Sequence, residues 1–138
     1  MTPEDIELVR TSYASLGANA PAMAAEFYRR LFAADPTAQA LFSSGPDVMS
    51  SKFAQELDAI VEAIISYDTF ATRVRDLAAR HAHYGVKTGH YRSAGDALIG
   101  ALAAHLGAAW DPATEAAWRR AYNLVAEIMM ATPTHSWP

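Results

Sequence analysis

The sequence predicts an all-α protein. Apolar residues recur at steps of three and four through most of the chain, no useful length alternates with period two, and a capping residue followed by proline recurs where helices would begin. At 138 residues the chain has the length of one domain and can bury a sizeable core without staples. With no internal repeat, low-complexity tract or long linker, the expectation is a single domain over residues 1–138.

Thr2-Pro3-Glu4-Asp5 supplies a hydroxyl cap, a proline at the first helical position and acids at the positive end of a helix dipole. Ile6, Val9, Tyr13 and Leu16 then form one apolar stripe, which Gly17 can end. Asn19 is the next plausible cap. Met23, Phe27, Tyr28, Leu31 and Phe32 make the second helix apolar over more than one face, as in a helix sandwiched between neighbours. Asp35-Pro36 starts a short third helix through Leu41-Phe42, and Ser43-Ser44-Gly45-Pro46 is a break.

From about Asp47 a long helix carries Met49, Phe53, Leu57, Ile60, Val61 and Ile64, the strongest amphipathic signal in the chain. Thr69 is expected to cap a helix whose stripe is Phe70, Val74, Leu77 and His81, ending near Gly85. From His90 to about Leu106 another helix follows, with Gly95 and Gly100 allowing close backbone approach and Gly107 as terminator. Asp111-Pro112 opens the last helix, which carries Trp118, Tyr122, Val125 and Met129 before Pro133 stops it.

Composition narrows the chemistry. An apolar fraction of 51% against 19% charged is far from the composition of disorder. The absence of cysteine excludes disulfides, thiolate zinc, iron–sulfur clusters and cysteine nucleophiles, leaving His, Met, Tyr or carboxylates for any metal. A formal charge of −4 argues against nucleic acid as a partner, although Arg73, Arg75, Arg80, Lys87 and Arg92 form a local cationic stretch. Neither a signal peptide nor a bilayer-length apolar run is visible, so a soluble cytoplasmic protein with no membrane partner is expected.

No dinucleotide or phosphate loop, His-Glu-x-x-His, or paired Glu-x-x-His is present. His81 and His83, two apart on a helix, face different ways and make no joint site. Two readings of His81 stand on its place in the apolar stripe. It is a core histidine bonded to a carbonyl, or the single imidazole ligand of a haem iron, with the Met49–Ile64 helix as the facing wall and Tyr28 and Phe42 at the sides.

The chain resembles the single-domain bacterial haemoglobins and the globin domains of flavohaemoglobins over nearly its whole length. The resemblance lies in the order and spacing of Phe27-Tyr28-Arg29-Arg30-Leu31-Phe32, Asp35-Pro36 with Leu41-Phe42, and Met49-Ser50-Ser51-Lys52-Phe53. It continues through Arg80-His81, Tyr84-Gly85-Val86, His90-Tyr91, and Ala117-Trp118 with Ala121-Tyr122. It implies a globin fold, three helices over three around haem b, with His81 as proximal iron ligand. It also implies Tyr28 as hydrogen-bond donor to bound dioxygen, Phe42 as the aromatic wedging the haem, and Phe53 as the apolar residue over the iron.

Met49 falls where the family often has Gln or His. A thioether donates no hydrogen bond, so the resemblance leaves Tyr28 as main donor, with Gln55 pointing off the stripe. Met49 then fills the pocket or, less commonly for methionine, ligates the iron. Lys52 and Arg80 fall near positions that reach the propionates, against a reading as solvated cations. Leu77 and Val86 complete the cofactor-binding set on the proximal side.

Tyr91 falls at the proximal tyrosine that joins a glutamate in flavohaemoglobins, but here that position lands beside Pro133 and Glu127 comes too early. His83, His90 and His105 read as exposed or structural, and Trp110 and Trp118 as packing. The function implied is reversible binding of dioxygen, with carbon monoxide and nitric oxide as further ligands, for storage, transport or scavenging. The enzymatic alternatives are nitric oxide dioxygenase, which would need a separate reductase because no flavin or nicotinamide domain is in this sequence, and pseudo-peroxidase. A haem-based gas sensor is a third reading.

Overall fold

The structure, a computed structural model, describes residues 1–42, 45–82 and 88–131, and among those the side chains of all but 81, 82 and 88. The expected corner at Ser43-Ser44, the helix end at Gly85 and the stop at Pro133 therefore lie outside the described residues.

Helix α1 (Pro3–Leu16) starts as its sequence requires. The Thr2 hydroxyl accepts from the Asp5 amide and the Asp5 carboxylate accepts from the Thr2 amide, both at 3.1 Å, which satisfies two amides that a helix start leaves without partners. Gly17, at φ 52°, ends the helix in a backbone conformation that a side chain would strain. Helix α2 (Ala20–Ala34) buries Met23, Ala24, Phe27 and Leu31, and α3 (Pro36–Gln39) is a single turn. The third helix thus stops short of the expected Leu41-Phe42, where the chain leaves the helix through a turn.

Helix α4 (Pro46–Ala63) buries Leu57, Ile60 and Val61 on one stripe. Helix α5 (Tyr67–Ala82) begins two residues before the expected Thr69 cap. The Ser66 carbonyl accepts the Phe70 amide at 2.9 Å and so already opens the helix, leaving Thr69 inside the first turn, where its hydroxyl donates to Ser66 Oγ. Helix α6 (Thr88–Leu106) likewise starts two residues before His90. In α7 (Pro112–Ala131) the Asp111 carboxylate accepts the Thr114 amide at 2.8 Å, the expected cap.

The helices stack in two layers. In one, α4 packs on α5 and α1; in the other, α6 packs on α2 and α7. Contacts of α1 and α5 with α7, and of α2 with α4, join the layers around a core that includes Val9, Met23, Phe70, Val74 and Leu102. The α6 glycines let neighbours approach, as expected: a Cβ on Gly95 would lie 2.7 Å from the Tyr122 ring, and one on Gly100 2.7 Å from the Arg30 guanidinium. Among the described residues no helix is long and apolar enough to cross a membrane.

Candidate functional site

An apolar cavity of about 200 Å³ lies between α2, α4, α5, α6 and α7. Close-packed interiors have few voids larger than a water molecule. At roughly 24 cal/mol per Å³, a void of this size left empty would cost the fold on the order of 5 kcal/mol. It is therefore a built feature of the packing.

Aromatic rings form its α2–α4 wall. Phe53 stacks on Phe27 with centroids 4.3 Å apart, and Tyr28 meets Phe27, Phe42 and Phe53 edge-on at 5.0, 5.3 and 5.7 Å. Edge-to-face contacts on three sides fix the Tyr28 ring. Phe42 sits at the rim, more than a third exposed, against Tyr28 and Phe32. The Tyr28 hydroxyl makes no hydrogen bond with any described residue, and burial pushes its phenol up to about 12. At neutral pH it is a protonated donor.

Leu77 lines the cavity from α5. His81 follows in the last turn of the same helix, four residues on, the spacing that returns to the same helix face. Its side chain, like the whole of Val86 and Lys87, is outside the described residues. Met49 is buried in the first turns of α4 but does not line the cavity, whose α4 wall begins at Phe53. Lys52 and Gln55 are exposed and also outside the cavity wall. Arg80 is engaged on the surface: its Nη2 donates to Glu56 Oε1 at 2.5 Å while Arg73 donates to Glu56 Oε2 at 2.9 Å, tying α5 to α4.

On the α6–α7 side the cavity is lined by His90, Tyr91, Trp118 and Tyr122 among others. The Trp118 indole donates to Ser12 Oγ at 2.8 Å, and the Tyr122 hydroxyl to the Tyr91 carbonyl at 2.5 Å. Both polar tips are thus satisfied. The Tyr91 hydroxyl has no hydrogen bond with a described residue, and burial raises its pKa. Glu127 is exposed and lines no part of the cavity. Among the described residues, the α7 side chain hydrogen-bonded to Tyr91 is the Tyr122 phenol, which reaches its backbone carbonyl.

Among the described lining residues outside the expected set, which include Leu57, Leu98, Trp118 and Tyr122, His90 is the imidazole. Expected as exposed or structural, it is largely buried at the cavity wall with Nε2 3.8 Å from Asp35 Oδ2. The Thr37 hydroxyl, and more weakly His90, hold the Asp35 carboxyl below its ordinary range.

The apolar, ring-rich lining fits a largely apolar prosthetic group. Among the described residues no three His, Cys, Asp or Glu side chains cluster to hold a metal ion. A porphyrin brings its own four equatorial nitrogens and asks the protein for one imidazole and an apolar sleeve.

A helical sandwich closed round such a cavity defines a class of protein that houses a prosthetic group within its core. Residues 25–129 match the globin family, and the chain belongs to that family, membership of which implies haem binding. It is 30% identical over 134 residues to a flavohemoprotein of Deinococcus radiodurans, a match covering 94% of this chain and 33% of that protein. It is 28% identical to the neuroglobin of Danio rerio, covering 99% of this chain and 92% of that protein. A flavohemoprotein of Vibrio cholerae is 26% identical, over 94% of this chain and 34% of its own length. The chain therefore spans about a third of the length of the flavohemoproteins it matches.

Proposed function

We propose that the chain holds haem b with His81 as the iron ligand and reversibly binds dioxygen, and other diatomic gases such as carbon monoxide or nitric oxide, for storage, transport or scavenging in the cytoplasm. The observation that carries this reading is Tyr28, a protonated phenol fixed by three rings at an apolar cavity with no described hydrogen-bond partner. When bound, the haem supplies a ferrous centre with a free coordination position. The chain's own residues then select and retain the gas. The apolar wall excludes ions, which would lose their hydration there, and the Tyr28 hydroxyl offers one hydrogen bond to a polar diatomic molecule.

Leu77 and Phe53 supply the apolar faces on the α5 and α4 sides, Phe42 shields the rim, and Tyr91 packs on the proximal side. Met49, buried a turn before Phe53, is a packing residue of α4. Lys52, which is exposed, is free to reach a propionate, whereas Arg80 would first have to leave Glu56.

The test is the absorption spectrum of the ferrous protein with and without dioxygen. A Soret band of a five-coordinate ferrous haem that shifts reversibly with the gas supports the reading, and absence of a Soret band after reconstitution refutes it. Likeness to flavohemoproteins favours a second reading, nitric oxide dioxygenase served by a reductase. Steady nitrate production with a supplied reductase would establish that activity.

A further inference from the structure

We propose an entrance to the cavity for small uncharged diatomic gases, running from the groove between α6 and α7 and gated by the ring of Tyr122; the proposal rests on reading the cavity as a haem pocket. The groove, about 360 Å³, opens on the surface among Arg92, Asp96, Arg119 and Asn123. Tyr91, Tyr122 and Ala126 line both this groove and the apolar cavity behind it. The partition at that point is one side chain thick.

Beside Tyr91 and the small Ala126, the phenol of Tyr122 makes up much of the partition. Its ring lies where a side chain at position 95 would stand: a Cβ on Gly95 would be 2.7 Å from Cε2 and 3.0 Å from Cδ2. Glycine thus gives the ring its closed position. One polar contact holds it there, the hydroxyl donating to the Tyr91 carbonyl at 2.5 Å. Losing that one neutral hydrogen bond shifts the opening equilibrium about fivefold toward the open position. A neutral gas crosses the charged mouth unhindered, while ions are stopped by the apolar interior.

The test is flash photolysis of the haem-loaded, carbon monoxide-bound chain, reading association from solution and the fraction that recombines before escaping. Tyr122→Phe should raise the association rate about fivefold and lower the recombining fraction. Asn123→Trp, at an exposed residue that lines the groove and not the cavity, should slow association at least twofold. In the double variant it should cancel the gain.

Rates that Asn123→Trp leaves unchanged in both backgrounds overturn the proposal. Should Tyr122→Phe not fold, Asn123→Trp alone decides by the same criterion. A preparation with no Soret band overturns the haem reading and the entrance together, whereas a normal Soret band with unchanged rates overturns the entrance only.

Discussion

The phenol of Tyr122 donates to the backbone carbonyl of Tyr91 at 2.5 Å, so α7 holds the start of α6 through a neutral hydrogen bond. Burial raises the Tyr122 pKa first of all, with Tyr91 and Asp96 adding to it. The group therefore stays protonated across the physiological range. Tyr122→Phe should cost about 1 kcal/mol in urea unfolding, the usual net worth of one such bond.

Tyr28→Phe should speed dioxygen dissociation by roughly tenfold, the equivalent of one lost hydrogen bond of about 1.4 kcal/mol. Stopped-flow displacement of the gas measures it. An unchanged rate would remove Tyr28 from the donor role.

His81→Ala should abolish stable haem retention while leaving the far-ultraviolet helical signal in place. Gel filtration of the reconstituted protein reads the first, since haem and chain would separate on the column, and circular dichroism reads the second.

The two α6 glycines should respond oppositely to alanine. At Gly95 the new methyl meets the ring of Tyr122, which its own hydroxyl anchors, and the clash should cost about 1–3 kcal/mol. At Gly100 it meets the far end of Arg30, which can swing away, and the gain in helix propensity of up to about 1 kcal/mol should show. Thermal melts of the two variants should move in opposite directions.

Asp5→Asn should remove part of the acid limb of the stability curve. The paired hydrogen bonds from Arg120 hold the Asp5 carboxyl well below its ordinary value of 3.8. A depressed folded-state pKa adds stability that is complete above about pH 4 and is lost as pH falls through the folded value. The variant should be less stable at pH 7, and its deficit should shrink below pH 4, as urea midpoints across that range would record.

What was legible in the sequence was local. The Thr2 and Asp111 caps close hydrogen bonds within three residues, so their residue types suffice to place them. The stripe of α5 was readable through Leu77 for the same reason, but its start was not, because Ser66 and Thr69 are equally good cap types a turn apart. Glycines at 95 and 100 announced close approach without naming the partners, Tyr122 and Arg30. Periodicity put Met49 on a buried face but could not say that the cavity begins a turn later, at Phe53. The pairings of His90 with Asp35 and of Glu56 with two arginines join separate helices, and such contacts leave no local trace.

The Asp5 carboxylate, which receives Thr2 at its own helix end, also receives Arg120 from 115 residues away. A contact of that sequence separation closes a long loop, and the entropy of closure must be met before the contact rewards it. The clasp between α1 and α7 is thus expected to form after the folding barrier is crossed. Contacts of that kind act on the rate of unfolding and leave the rate of folding nearly unchanged. On that expectation, Asp5 and Arg120 act as a latch on the folded protein's lifetime, and Arg120→Ala should speed unfolding while leaving the folding rate nearly unchanged.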